Sequence, residues 1–240
     1  MKTINGHHLK QMIISGANNL YNCYPEIDAL NVFPVPDGDT GTNMNLTMTS
    51  GSKEIMNIDN KSIEDVSKAF SKGLLMGARG NSGVILSQIF RGFAAGLEGK
   101  IEVDCYGLSD ALISAKDMAY KAVMKPVEGT ILTVIREASI ALKQHVDKEP
   151  KALSIEEAFD YFLNEANESL KRTPELLPVL KEVGVVDSGG AGLIKVFDGF
   201  KSAIDGKMIE RTKPSLSQGQ VGNVQTQIEN SEFGYCTEFI

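Results

Sequence analysis

Only three of the 240 residues are cysteines: Cys23, Cys105 and Cys236. They are odd in number, widely spaced and without a CxxC pair. That excludes a disulfide framework and a zinc set, and it reads as reduced thiols in a cytosolic protein. Basic charge is scarce as well. Lys and Arg number 24 against 31 Asp and Glu, a formal charge of −7. A general nucleic-acid binder needs a basic face to neutralise phosphates, so no nucleic-acid partner is expected. Long apolar runs are missing. The most apolar stretch, residues 70–97, is broken by Lys72, Arg79, Asn81, Gln88 and Arg91, too often for a membrane-length segment. The start, MKTINGHHLKQ, lacks the apolar core of a signal peptide. A cytoplasmic protein with no membrane insertion is the expectation. The common nucleotide motifs are absent too: there is no GxxxxGK[ST] and no GxGxxG, and a helical chain offers no βαβ unit to carry the latter.

What is present is helical periodicity. The apolar set Ile131, Leu132, Val134, Ile135, Ala138 and Leu142 follows a 3.6-residue rhythm. Ser154 with Glu157 three residues on predicts a capped helix start, and Ser62 with Glu64 and Asp65 another. The patterns predict about eight helices, at roughly 7–23, 42–57, 63–77, 82–97, 107–124, 130–146, 154–170 and 190–204, with almost no strand alternation before residue 220. An all-α bundle over residues 5–205 is the expected fold. Residues 206–230 are polar and read as a linker. The segment 231–240 is aromatic and β-like, and reads as the start of a following domain in a longer chain. The alternative is a terminal strand or tail packed on the bundle.

Glycines cluster between the predicted helices, in residues 37–43, 77–83 and 187–192, each followed at once by a helical pattern. Such loops aim free N–H groups and positive helix ends into a shared space. One glycine-rich turn is an ordinary helix stop. Three with Asp, Asn and Ser content predict a phosphate site at one end of the bundle. Within the first loop Asp37 and Asp39 stand two residues apart in the proline-framed run Phe33-Pro34-Val35-Pro36. Two such carboxylates without His or Cys nearby suit Mg²⁺. The competing reading is an Asx turn in which both side chains cap the next helix. Arg79 stands within the second loop, between Gly77 and Gly80, to contact the γ-phosphate or a partner, or else to form a surface ion pair.

The run Asn31 to Met44, with Met76 to Val84, Lys125 to Thr130 and Gly184 to Gly190, resembles the ATP-binding subunit of bacterial fatty-acid kinase. Over roughly residues 5–205 it is similar to the L subunit of dihydroxyacetone kinase. That resemblance implies a barrel of eight antiparallel helices with ATP in the loops at one end and two Mg²⁺ ions on an Asp cluster. It implies phosphoryl transfer to a fatty-acid carboxylate presented by a separate fatty-acid-binding protein, giving an acyl phosphate used in phospholipid synthesis. It places Asp37 and Asp39 on the metal. Thr40, Gly41, Thr42, Asn43, Gly80, Asn81 and Ser82 come near the phosphates, Gly129 and Thr130 near the nucleotide. Asp187, Ser188, Gly189 and Gly190 form a closing loop. Dihydroxyacetone kinases carry a third Asp five residues before the first of the pair. Here that position is Val32, and Asn31 is the nearest polar group, a candidate third ligand. Rival readings are a dihydroxyacetone-type kinase and a non-catalytic nucleotide-binding module.

Overall fold

The computed structural model describes residues 1–148 and 153–212. The elements are β1 (Ile4–Asn5), α1 (Gly6–Asp28), α2 (Thr40–Ile55), α3 (Ile63–Met76), α4 (Gly80–Gly96), β2 (Glu102–Val103), α5 (Cys105–Lys121), α6 (Ile131–Lys148), α7 (Ile155–Leu176), α8 (Pro178–Val183) and α9 (Ser188–Ile204). The fold is all-α, as its periodicity predicts. The helix starts are written in polar side chains. Ser154 accepts from the Glu157 N–H while Glu157 accepts from the Ser154 N–H, and Ser62 accepts from the Asp65 N–H. Each cap satisfies backbone donors that the helix itself leaves unpaired.

Seven helices pack in chain order from α1 to α7, and α9 then packs on both α7 and α1, so the order closes on itself. The crossing of α1 on α9 is close. A Cβ on Gly16 would stand 2.7 Å from both the Phe200 ring and the Val196 carbonyl, so no larger residue allows this approach. Inside the ring lies an aromatic cluster. Phe162 meets Phe197 edge-on at 5.0 Å, and Phe70 meets Phe90 at 5.0 Å. Such pairs add about 0.5–1.5 kcal/mol each beyond the apolar area they bury.

The elements depart from the sequence pattern in four ways. α1 runs through Pro25 to Asp28, and α7 through Pro174 to Leu176. A proline normally ends a pattern because it lacks an N–H donor. Here Ile27 is buried and Asp28 is bonded to α2, so packing holds the extra turn. The six-residue α8 is too short to show a period. β1 and β2 pair antiparallel through Ile4 and Val103. The fourth departure lies in the expected linker. Residues 207–212 lie along α1: Ser15 accepts from the Ile209 N–H, Asn18 donates to the Ile209 carbonyl, and Asn22 donates to the Glu210 carbonyl and accepts from the Thr212 N–H. Residues 213–240, with Cys236, the rest of the expected linker and the segment 231–240, lie outside the described residues. Cys23 and Cys105 are free thiols.

Candidate functional site

The first turns of α2, α4, α6 and α9 all open onto one cavity of about 680 Å³, with Thr40, Gly80, Ile131 and Ser188 in its lining. Alternate helices of the ring therefore point their positive ends at one mouth. Three of the four starts are already answered by side chains. Asp187 accepts from the Gly190 N–H at 2.7 Å and from the Ile131 N–H, so one carboxylate caps α9 and holds the start of α6. Burial of Asp187, 5% exposed, pushes its carboxyl up to about 6 against the pull of those two bonds. Asp28, at the end of α1, accepts from the Thr42 N–H at 2.9 Å and the Thr42 hydroxyl at 2.7 Å, which serves α2. α4 begins at Arg79 with no side-chain cap. Of the four starts it alone lacks a side-chain cap, and a helix start left open in this way suits an anion.

Asp39 occupies the N-cap position of α2 yet makes no capping bond. The Asx-turn reading fails for this residue, because Asp28 does that work from another helix. The Asp39 carboxyl instead faces that of Asp37. Partial burial pushes it above its ordinary value, a hydrogen bond with Asn43 opposes this, and the neighbouring Asp37 carboxyl adds to the rise. Asn31 donates from Nδ2 to Asp37 Oδ1 at 2.7 Å. It is only 7% exposed, and its Oδ1 is buried without a partner. Two neighbouring carboxyls and an orphaned amide oxygen thus share one corner.

Of the residues singled out from sequence, Asn31, Asp37, Asp39, Thr40, Asn43, Gly80, Asn81, Ser82, Thr130, Asp187, Ser188 and Gly189 line the cavity together. Five others do not. Thr42 is held by Asp28. Gly41 packs against the end of α1, with Ile27 and Asp28 beside it. Gly129 packs on Leu177, and its N–H goes to the Thr133 hydroxyl. Gly190 gives its N–H to Asp187. Arg79 is exposed and outside the lining, its backbone N–H on Thr47 Oγ1. The catalytic expectation for Arg79 therefore lacks geometric support. Gly80 does need to be glycine: its φ is +56°, and the Asn43 side chain fills the space where a Cβ would stand.

Sequence reasoning missed Asp28, because the helix pattern stopped at residue 23. It also missed Glu128, which accepts from Tyr120, Thr133 and Arg136 at 3.0, 2.5 and 2.8 Å. Burial alone would raise the Glu128 carboxyl, but these bonds outweigh it and hold it below its ordinary value. This hub fixes the connection between α5 and α6, whose Val123 and Val127 join Val84 and Ile85 as an apolar wall of the cavity. Among the described residues there is no group of three or more His, Cys, Asp or Glu placed to hold a metal. Any cation here rests on the two carboxylates and neutral oxygens, a donor set that suits Mg²⁺ with waters and substrate phosphates.

The fold and the mouth together define an all-α domain with an acidic, glycine-lined cavity at its helix starts. Residues 34–202 match the DAK2 domain family, and the chain belongs to it. It is 51% identical over 246 residues to protein YloV of Bacillus subtilis (strain 168), covering 99% of this chain and 44% of that protein. It is also 51% identical over 245 residues to an uncharacterized protein of Staphylococcus haemolyticus (strain JCSC1435), with the same coverage. The chain thus spans less than half the length of these curated relatives. Among solved structures it shares the fold of dihydroxyacetone kinase from C. freundii in complex with AMP-PNP and Mg²⁺. There the TM-score is 0.60 at 17% identity, over 85% of this chain and 35% of that one. The native form of that kinase gives 0.56 at 20% identity, over 81% and 34%. No helix among the described residues is long and apolar enough to cross a membrane.

Proposed function

We propose that the chain is the Mg–ATP-binding domain of a cytoplasmic kinase. It transfers the γ-phosphoryl of ATP to the carboxylate of a fatty acid presented by a separate fatty-acid-binding protein, and the product is an acyl phosphate for phospholipid synthesis. The observation that carries the nucleotide reading is the corner of Asn31, Asp37 and Asp39. Asp39 stands at a helix start but is released from capping it, and the buried Asn31 Oδ1 beside the pair has no partner. Like charges held together and an unpaired acceptor are costly unless a cation answers them. The residues present therefore fit magnesium: Asp37 and Asp39 would hold it, with Asn31 in place of the missing third carboxylate. The resemblance favours two ions. Bound there, magnesium supplies neutralisation of the phosphate charge and fixes the tail for displacement.

The protein's own groups do the rest. The open start of α4, with Gly80, Asn81 and Ser82, binds phosphate oxygens through backbone N–H groups. Asp187 keeps the α6 and α9 starts in place, so Thr130, Ser188 and Gly189 present a fixed wall. The apolar side chains Val84, Ile85 and Val127 offer a face to the base and exclude water. A carboxylate acceptor is already ionised near neutrality and needs no general base. The cavity lining holds no His, in keeping with that. The dihydroxyacetone kinase bound to AMP-PNP and Mg²⁺ supports a nucleotide with magnesium on this fold. Docking of the fatty-acid-binding protein itself is assigned to further domains of a longer chain.

Calorimetric titration of Mg–ATP into wild type, Asp37→Ala and Asp39→Ala, with circular dichroism alongside, tests the site. Binding should be lost in both variants while helicity stays. Unchanged affinity in either overturns the assignment. Hydroxylamine trapping of an acyl phosphate from oleate on its binding protein tests the acceptor. A second reading, phosphorylation of a small hydroxyl compound such as dihydroxyacetone, draws on Asp187, whose carboxyl at about 6 suits a general base. Both helix caps that Asp187 makes argue for a structural role. Consumption of ATP with dihydroxyacetone and not with the fatty acid would favour this second reading. A nucleotide-binding module without catalysis would consume ATP with neither.

A further inference from the structure

The cavity lining carries three carboxylates, Asp37, Asp39 and Asp187, and one cation, Lys125. Lys125 sits on the connection between α5 and α6. In the closed order of eight packed helices, that connection lies opposite the one between α1 and α2 that carries the aspartate pair. Lys125 itself is exposed. The only acid on this connection, Glu128, is spent on Arg136, Tyr120 and Thr133, so it does not neutralise the lysine. No acid among the described residues forms an ion pair with Lys125. The residue before it, Met124, is 98% exposed, and Val127 is exposed two residues on. A lone ammonium between bare apolar side chains matches an anion borne on an apolar chain rather than a polyphosphate, which wants several donors.

We infer that Lys125 receives the carboxylate of the phosphoryl acceptor and that the neighbouring Met124 and Val127 meet the start of its apolar chain. This rests on the kinase reading and adds to it where the acceptor enters. Nucleotide phosphates have the aspartate corner and the open start of α4, on neighbouring helices across the mouth. An incoming carboxylate meets three acidic side chains, and Lys125 is the group that offsets them at the entrance.

The test uses the full-length protein saturated with Mg–ADP and sodium laurate as the probe. Wild type should bind laurate. Lys125→Gln should weaken laurate binding about tenfold and Lys125→Arg should restore it, with Mg–ATP affinity unchanged within about twofold in both. Equal laurate affinity in Lys125→Gln overturns the proposal. So does a parallel fall in Mg–ATP affinity, which would make Lys125 a nucleotide ligand. A wild-type protein that binds Mg–ATP but no laurate sinks the assignment of Lys125 and leaves the nucleotide site standing. Failure to bind Mg–ATP at all removes the nucleotide site, and the acceptor site with it.

Discussion

Asp28 and Asp39 exchange the roles their sequence positions suggest. Asp39 precedes the helix and does not cap it, whereas Asp28 caps it from fourteen residues away. Their removal should therefore have opposite signatures. Asp28→Ala should cost about 1–2 kcal/mol of stability, the usual worth of a helix cap. Asp39→Ala should leave the metal-free protein as stable or more so, since it relieves Asp37. Urea denaturation in EDTA separates the two, and a larger loss in Asp39→Ala would return Asp39 to a capping role. Asp187 gives a pH signature. Its carboxyl lies at about 6 in the fold against 3.8 ordinarily. The folded state holds this proton more tightly, so the contribution favours folding at low pH and is lost as pH rises through about 6. Asn cannot ionise. From pH 4 to pH 7 the stability of wild type relative to Asp187→Asn should fall, by up to about 3 kcal/mol. A difference flat with pH contradicts this. These residues also show how much of the site was legible. Loop chemistry pointed to Asp37, Asp39, Gly80 to Ser82 and Asp187 to Gly189, since glycines and carboxylates at helix starts are local signals. Thr42, Gly129 and Gly190 sit in the same motifs but serve packing and caps. The partners of Thr42 and Gly129, Asp28 and Leu177, are distant in sequence, where no spacing rule reaches them, whereas Gly190 answers the local cap Asp187.

Among the helices, legibility follows the source of each boundary. The starts of α3 and α7 are set by Ser62 and Ser154, and the pattern places them within a residue. α6 has a broad apolar face and is equally plain. The ends of α1 and α7 are set by tertiary packing past Pro25 and Pro174, which a local rule counts as stops. α8 carries Pro178 at its first turn and Gly184 at its end with φ +78°, correct signals on a helix too short to repeat. The extended segment 207–212 reads as linker because its partners are side chains of α1. Asn22 pairs with it as a neighbouring strand would, one amide answering Glu210 and Thr212. Arg211 adds a contact over the Tyr21 ring at 4.5 Å and a bond to Thr49 of α2. Two exposed hydrogen bonds are worth about 1 kcal/mol or somewhat more, so Asn22→Ala should lower the melting temperature on the order of 2–5 °C. In a chain cut after Gly206 the same substitution should have no effect. An equal loss in both chains would mean that Asn22 acts within α1 and not on this segment.

Over the whole molecule, charge runs against the ligand. The chain carries −7, and its mouth holds three carboxylates against one lysine. An ordinary phosphate site is basic, and its affinity falls as salt screens attraction. Among the described residues the direct attraction for a free triphosphate comes from the helix starts, inside a repelling field. Screening should help. Raising ionic strength from about 0.01 M to about 0.1 M shortens the screening length from about 30 Å to about 10 Å, which removes much of the repulsion from the distant surface. In EDTA the weak affinity for ATP should therefore rise with added sodium chloride. With magnesium saturating, the aspartate corner is neutralised, and the dependence should become shallow while affinity climbs steeply. Titration of ATP at several salt concentrations, with and without magnesium, measures both slopes. A metal-free affinity that drops as salt is added would show attraction by a basic surface, and the aspartate pair would then no longer explain how an acidic domain holds a polyanion.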